Sequence, residues 1–169
     1  MEAIATWFAQ TLGQYVAPEW VVFIISMIPI LELRGGLIAA SVLQIDIWKA
    51  IPFCVVGNII PIPFILLFIK KILQWMKGIK GLRVIANWLE DKANKKSDAL
   101  KKGEFWGLAL FVGIPLPGTG AWTGSLIAAL FDVKLPKAVG AILLGIVIAT
   151  IIMAIVSYGL LGSVMGLFN

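Results

Sequence analysis

The sequence predicts an all-α integral membrane protein built from two related halves. Of its 169 residues, 60% are hydrophobic and 14% are charged, whereas soluble domains are roughly 45–50% apolar and 25% charged. The mean hydropathy is +1.00. Long apolar runs at 20–31, 50–69 and 138–156 exceed what one small soluble core buries. The chain is therefore expected to lie in a membrane.

Most of the positive charge lies in one segment. Residues 70–104 contain ten Lys and Arg but only four Asp and Glu, while the whole chain carries +5. By the positive-inside rule we predict that residues 77–104 form a basic cytoplasmic loop. Its apolar positions fall on one helical face, which predicts an amphipathic helix against anionic membrane lipids; they are Leu82, Ile85, Ala86 and Leu89. Because no nucleic-acid-binding module accompanies the charge, we predict no nucleic acid partner.

The composition also narrows the chemistry. Histidine is absent and Cys54 is the only cysteine, so carboxylates are the candidates for any proton-linked step. No pattern indicates nucleophilic, metal or nucleotide chemistry. We therefore predict that the protein is not an enzyme and has no catalytic residues, metal site or cofactor.

The first half begins with a predicted interfacial helix at residues 1–18, for which a short membrane span is the alternative. An apolar hairpin is predicted at 20–43, and its centre is interrupted by polar and helix-breaking residues: Pro29, Glu32, Arg34, Gly35 and Gly36. A transmembrane helix is predicted at 46–76. We expect a kink near Asn58, because Pro61 removes a backbone hydrogen bond.

The second half follows the same plan. A predicted hairpin at 105–131 is broken by Pro115-Leu-Pro-Gly-Thr-Gly120, and a transmembrane helix is predicted at 136–161. In the first hairpin, the arm 20–28 would extend about 14 Å as a helix, about half of a 30 Å hydrocarbon core. Each broken stretch is therefore predicted to be a re-entrant hairpin that returns to its own side. A continuous span over 20–44 is the alternative.

Sequence matches relate the two halves, which we place at 19–76 and 105–161. The matches are Leu37–Ala40 with Leu126–Ala129, Lys49-Ala50 with Lys137-Ala138, Gly57 with Gly145, and Pro29 with Pro115. One hairpin and one full crossing per half make the number of crossings odd. The halves are therefore predicted to be inverted in the membrane, an arrangement typical of secondary transporters.

Two motifs carry a resemblance to a known family. Glu32-Leu-Arg-Gly-Gly36 and Pro115-Leu-Pro-Gly-Thr-Gly-Ala-Trp-Thr-Gly124 resemble those of the small multidrug export proteins of prokaryotic membranes, a family related more distantly to the DedA/VTT superfamily. The resemblance implies a DedA/VTT-like inverted repeat in the prokaryotic cytoplasmic membrane. For DedA-type relatives it also implies proton-linked movement of lipids such as polyprenyl phosphates. The segment 115–131 lacks the arginines that those relatives carry in their second hairpin.

The predicted binding site lies where the hairpin tips meet. An ionised side chain at mid-membrane costs roughly 2.5–3.5 kcal/mol, so Glu32 and Arg34 are expected to be functional. Helix N-termini at the tips favour an anion, glycines let a ligand approach the backbone, and Thr119 or Thr123 is expected to cap the second helix. The predicted substrate- or ion-binding residues are Glu32, Arg34, Gly35, Gly36, Pro117, Gly118, Thr119, Gly120, Trp122 and Thr123.

Together these features predict a proton-linked transporter of an amphipathic anion such as a lipid phosphate. One alternative is an exporter in which Glu32 binds either a proton or a drug cation, and another is a membrane scaffold that does not transport. For the polar pair itself, the alternatives are a Glu32–Arg34 ion pair that holds the turn, or tips that pack together while Arg34 caps carbonyls. A homodimer is predicted because two crossings per chain cannot bury two polar tips.

Overall fold

The computed structural model describes residues 17–96, 104–116 and 118–160, and over these residues the chain is helical, without strands. The predicted all-α class is therefore confirmed. The first half contains α1 (Pro18–Met27), α2 (Glu32–Val42), α3 (Ile47–Ile59) and α4 (Pro61–Lys77), and α5 (Arg83–Lys96) connects the halves. The second half contains α6 (Glu104–Gly113), α7 (Ala121–Leu130), α8 (Leu135–Ala154) and a π-helical turn (Ile155–Leu160). The interfacial helix predicted at 1–18 lies outside the described residues up to residue 16.

Among the described residues, two helical stretches are long and apolar enough to span a membrane. They cover Ile47–Lys77 and Leu135–Gly159, close to the crossings predicted at 46–76 and 136–161. The first is divided at Ile60 into α3 and α4, two residues beyond the kink expected near Asn58. The division falls there because Pro61 starts α4, and proline at the first helical position needs no N–H partner.

Each stretch predicted as a hairpin contains two short helices joined by a turn. α1 has 10 residues and α2 has 11, and α6 and α7 have 10 each, so each helix is about 15 Å long. Residues 28–31 connect α1 to α2, and residues 114–120 connect α6 to α7. α1 packs on α2 and α3, whereas α6 packs mainly on α8.

Two glycines allow the long helices to pack closely against the first helix of each hairpin. A Cβ at Gly57 of α3 would lie 2.4 Å from the carbonyl oxygen of Phe23 in α1. A Cβ at Gly145 of α8 would lie 2.7 Å from the carbonyl oxygen of Ala109 in α6. The matched glycines of the two halves therefore make corresponding helix contacts.

The turns that follow α2 and α7 are also alike. The Ile45 amide donates to the Ala40 carbonyl, and the Val133 amide donates to the Ala128 carbonyl, both at 3.0 Å. The residue before each donor has a left-handed backbone, with φ of +56° at Gln44 and +54° at Asp132. These turns relate Ala40 to Ala128, one residue away from the Leu-Ile-Ala-Ala alignment, which pairs Ala40 with Ala129. The turns therefore agree with the offset of 88 that the Lys-Ala match and the Gly57–Gly145 match give.

The amphipathic segment between the halves packs on α4 and α7 through α5. Ala86 is buried and Leu82 is half-buried, but Ile85 is 48% exposed. The Lys77 ammonium lies 2.6 Å from the Glu90 carboxylate and joins α5 to the end of α4. α5 is therefore held against the helices, and its place at a membrane surface stays a prediction.

Candidate functional site

Glu32 joins the two hairpins through the N-terminus of α7. Its Oε2 accepts a 3.0 Å hydrogen bond from the Ala121 amide, and its Oε1 accepts a 3.2 Å bond from the Trp122 amide. The side chain is only 5% exposed. The first N–H groups of a helix have no partner within the helix and carry partial positive charge. The Glu32 carboxylate therefore occupies the kind of anion site that the sequence predicts at a hairpin tip.

Gly120 makes this contact possible. A Cβ at Gly120 would lie 2.1 Å from Glu32 Oε2, and Gly120 has a φ of +128°, a region that side chains rarely adopt. Glu32 itself has a φ of +50° although it is not glycine. Strained backbone of this kind costs of order 1–3 kcal/mol and persists where surrounding contacts compensate.

Arg34 binds the opposite kind of helix end, the C-terminus of α6. Its Nη2 donates to the Ile114 carbonyl at 3.2 Å, and its Nη1 donates to the Leu116 carbonyl. A longer bond of 3.5 Å reaches the Val112 carbonyl, and Arg34 is 6% exposed. Carbonyls at a helix C-terminus lack helical partners and carry partial negative charge, which a cation compensates. The contacts of Arg34 thus match the structural alternative in which it caps carbonyls.

Thr119 forms a polar cluster with Glu32 and Arg34, but it does not cap α7. Its Oγ1 accepts a 2.9 Å bond from Arg34 Nη2 and lies 2.8 Å from the carbonyl oxygens of both Ile114 and Leu116. Gly120 is the N-cap residue of α7, and this N-cap makes no side-chain hydrogen bond. The expectation that Thr119 or Thr123 caps α7 is therefore wrong. The carboxylate of Glu32 takes that place from the other hairpin.

The remaining predicted glycines have different surroundings. A Cβ at Gly36 would lie 2.0 Å from Ser26 Oγ and 2.9 Å from Cys54 Sγ, and one at Gly35 would lie 2.7 Å from Leu31 Cβ. Both glycines are buried, so they serve close packing of α2 rather than exposure of backbone. Gly118 is exposed and has a φ of +75°. Pro117 lies outside the described residues.

Two adjoining apolar cavities border the polar cluster. The larger, about 500 Å³, lies along α4 and is lined by Met27, Ile60, Pro61, Phe64, Ile65, Phe68, Ile69, Ile72 and Trp122. The smaller, about 350 Å³, lies beneath the turn of the first hairpin and is lined by Pro29, Ile30, Ile65, Ile69, Trp88, Trp122, Thr123 and Leu126. Both share the side chain of Trp122, whose backbone amide binds Glu32. Of the predicted residues, Trp122 and Thr123 are therefore the ones placed in cavity walls.

The α4 lining is the part of the site that sequence reasoning missed. Phe64, Phe68 and Ile72 recur every four residues and so share one face of the helix, but this spacing is equally expected of a lipid-facing surface. Trp88 lies within the segment predicted to be a surface helix. The cavities that these residues line form only through the packing of α4, α5 and α7. Among the described residues, no group of three His, Cys, Asp or Glu side chains is placed to hold a metal ion.

Comparison with known protein families adds the identity of the chain. Residues 32–152 match the model of the family described as "Putative small multi-drug export protein". The chain belongs to this family. The match begins at Glu32 and includes Arg34, the second hairpin and most of α8, so it covers the polar cluster described above. No curated protein and no solved structure matched the chain.

Membership in this family, together with the two long apolar helices, indicates a membrane protein of an exporter family rather than of an enzyme family. The resemblance to the small multidrug export proteins is thereby confirmed. The more distant relationship to the DedA/VTT superfamily stays a prediction.

Proposed function

We propose that this member of the small multidrug export family is a proton-linked transporter of amphipathic molecules that carry an anionic group. The observation that carries the proposal is the Glu32 carboxylate at the N-terminus of α7, held by two backbone N–H groups. This helix end already binds a carboxylate of the chain itself. An anionic group of a substrate, such as a lipid phosphate, would bind there by the same chemistry.

Proton linkage follows from the competition between Glu32 and that substrate. While Glu32 is ionised, its carboxylate fills the end of α7 and repels a second anion. When Glu32 takes up a proton, it loses its charge and binds the N–H groups less strongly. The helix end then becomes free for the anion, and the nearby charge of Arg34 adds attraction. Proton uptake and anion binding would therefore occur together.

The apolar part of the substrate would lie in the two cavities beside α4. Their combined lining is aliphatic and aromatic, and it leads to Trp122, the residue whose amide binds Glu32. Ligand sites commonly combine a mainly apolar wall with a few polar groups that fix orientation. An amphipathic molecule fits such a surface, with its charged group at α7 and its apolar body along Phe64 and Phe68.

We further propose that the halves form an inverted repeat of re-entrant hairpins whose tips meet near the membrane centre. The like turns after α2 and α7 relate residues 88 positions apart, such as Gln44 and Asp132. The same offset relates Glu32 to Gly120, and these two residues lie in contact. Contact between equivalent positions is what a local two-fold axis produces. Such an axis in the membrane plane supports an inverted arrangement.

A lipophilic cation is the second candidate substrate, favoured by the family description and by the aromatic lining close to an acid. Phe64, Phe68 and Trp122 supply aromatic rings, which attract cations, and Glu32 supplies a carboxylate. In this case the cation and the proton would compete for Glu32 itself. For either substrate, we propose a homodimer in the prokaryotic cytoplasmic membrane, with residues 77–104 on the cytoplasmic side next to anionic lipids.

The test uses the full chain in liposomes with an imposed pH gradient. Movement of a fluorescent polyprenyl phosphate is compared with uptake of a lipophilic cation, for the wild type, Glu32→Gln and Arg34→Ala. Asp91→Asn and Arg83→Ala are matched controls, because both side chains are exposed on α5 away from the polar cluster. The proposal expects pH-driven anion movement that both site variants lose and both controls keep.

Other results lead to different conclusions. Cation uptake that depends on Glu32, without anion movement, would establish the second candidate. If neither substrate moves in any preparation and the site variants lose only folding yield, the protein is a scaffold and the transport proposal fails.

A further inference from the structure

Asn58 has a buried amide oxygen without a hydrogen-bond partner in the described structure. The residue is 2% exposed, and its Oδ1 has no donor. Buried polar groups nearly always have partners, and an acceptor left unpaired weakens the fold. An apolar side chain would avoid that cost. The amide oxygen is therefore free to accept a hydrogen bond from a neighbouring donor.

The helix contacts place Asn58 at the level of Glu32. α2 and α3 are joined by the short turn at 43–46, and they meet where Cys54 Sγ lies 2.9 Å from the position of a Gly36 Cβ. Because α2 and α3 run in opposite directions, one further turn leads from Gly36 to Glu32 and from Cys54 to Asn58.

A shared cavity also indicates that Asn58 lies at the level of Glu32. Ile60 and Pro61, just beyond Asn58, line a cavity together with Met27, which ends α1 just before the turn that leads to Glu32. Asn58 therefore lies between the Gly36–Cys54 approach and the residues that line this cavity, at the height of the turn that leads to Glu32.

We propose that Asn58 is a positioning residue whose amide oxygen accepts a hydrogen bond from the protonated carboxyl of Glu32. An ionised carboxylate only accepts hydrogen bonds, and Glu32 obtains two from the amides of Ala121 and Trp122. A protonated carboxyl has an O–H donor, for which those amides offer no acceptor. Asn58 Oδ1 supplies one. When Glu32 is protonated, its side chain therefore leaves the amides of α7 and donates a hydrogen bond to Asn58 in α3.

This inference rests on the proposed proton linkage and gives it a second position for Glu32. Other polar groups near that position are already engaged or unsuited. The hydroxyl of Ser26 in α1 donates to the Val22 carbonyl at 2.7 Å, and Arg34 offers only donors. Cys54 in α3 is a thiol, which accepts hydrogen bonds weakly. α7 contains no ionisable residue, and those of α6 and α8, Glu104 and Lys137, lie in the first turns of their helices, whereas Arg34 binds the far end of α6.

A purely structural role for Asn58 makes a different prediction. Pro61 has no N–H, so the carbonyl of Gly57 lacks its usual helical donor, and the amide nitrogen of Asn58 is close in sequence. If repair of that backbone were its whole function, removing the amide would destabilise the protein but leave the protonation of Glu32 unchanged.

The experiment is infrared difference spectroscopy of the full chain in lipid nanodiscs during a pH titration. The C=O band of the protonated Glu32 carboxyl is assigned by its loss in Glu32→Gln. In Asn58→Leu, we expect the band to move to higher frequency and its midpoint to fall by about one pH unit or more, since the protonated form loses a partner. Asn58→Gln keeps an amide and should restore part of the shift.

Thr150→Val is the matched control, because the Thr150 hydroxyl bonds to its own helix at the Ile146 carbonyl, 2.7 Å away. It should leave both band and midpoint unchanged. If Asn58→Leu does not fold, Asn58→Ser replaces the amide with a shorter group, and the same shift in direction is expected. An unchanged band and midpoint in the folded Asn58 variant, or a wild type without a protonated Glu32 band at any pH, would overturn the proposal.

The spectroscopic result is independent of transport. A shifted band in a protein that does not couple transport to protons would uphold the role of Asn58 and refute the proposed function. If Asn58→Leu leaves the band unchanged in a protein whose proton-coupled transport depends on Glu32, the proposed function is upheld and the role of Asn58 is refuted.

Discussion

Glu32 and Gly120 occupy positions 88 residues apart in the two halves and touch each other. The Glu32 carboxylate fills the space in which a Gly120 side chain would lie, with Oε2 2.1 Å from the position of a Cβ. One half thus supplies a charge, and the other supplies the space and the N–H groups that receive it. This contact makes the two hairpins one unit.

A methyl group at Gly120 should disrupt the contact between Glu32 and the N-terminus of α7. Gly120→Ala places a side chain on a residue with a φ of +128° and displaces the Glu32 carboxylate from α7. We expect a loss of about 2–4 kcal/mol in the free energy of unfolding, from backbone strain and from weakened charged hydrogen bonds. Unfolding of the purified protein in detergent measures it. Gly81→Ala is the control, since a Cβ there would have no neighbour within 4 Å; equal stability of the two variants would contradict the prediction.

Arg34→Lys should be destabilising although it keeps the charge. Arg34 divides its N–H groups among two close carbonyls and the Thr119 hydroxyl, and a single ammonium group cannot reach all of them in that geometry. We expect a loss of about 2–3 kcal/mol, because buried acceptors are left unpaired. The exposed Arg83→Lys is the matched control and should change the free energy of unfolding by less than about 0.5 kcal/mol. Full tolerance of Lys at position 34 would show that the carbonyl contacts contribute little.

The close helix contacts at Gly57 and Gly145 should respond alike to an added methyl group. Each Cβ would lie within 3 Å of a backbone carbonyl oxygen in the neighbouring helix, so the helices must separate. We expect each Gly→Ala variant to lose about 1–3 kcal/mol by overpacking. Gly140→Ala in the same helix as Gly145 meets only the edge of the Phe105 ring, at 3.3 Å, and should cost much less. Comparable melting temperatures for Gly140→Ala and Gly145→Ala would refute the role of these contacts.

The re-entrant hairpin has a direct topological test. Glu19 and Gln44 lie at the open ends of α1 and α2, so a hairpin places both on the same side of the membrane. With the buried Cys54 replaced by alanine, single cysteines at the two positions should react with an impermeant thiol reagent from the same side only. Reaction from opposite sides would establish a continuous span over this segment.

Much of the fold was predictable because it depends on local chemistry. The apolar runs indicate the membrane class, and the prolines and glycines at 28–36 and 114–120 mark both turns. The position of the break in the first crossing was nearly right, since Pro61 can start a helix but cannot continue one. The turns at Gln44 and Asp132 lie 88 residues apart, whereas the Leu-Ile-Ala-Ala match is offset by 89. A match of four apolar residues specifies no hydrogen bonds, so it does not choose between these offsets.

The polar cluster was predictable in its members but not in its connections. The free-energy cost of placing an ionised side chain in the membrane identifies Glu32 and Arg34 as important from sequence alone. Which helix end each one binds depends on how the hairpins pack, and so does the replacement of a threonine cap by Glu32. The cavity wall formed by Phe64 and Phe68 has the same spacing as a lipid-facing surface, so composition and periodicity cannot distinguish the two.

The central claim is that Glu32 links proton movement to substrate movement. It is tested most directly by comparing exchange with pH-driven accumulation in liposomes for the wild type and Glu32→Gln. Exchange of labelled for unlabelled substrate needs no net proton movement, whereas accumulation against a gradient does. We predict that Glu32→Gln keeps exchange but loses at least about nine-tenths of pH-driven accumulation, because a glutamine side chain cannot take up and release the proton. Accumulation at the wild-type level in Glu32→Gln would contradict the account.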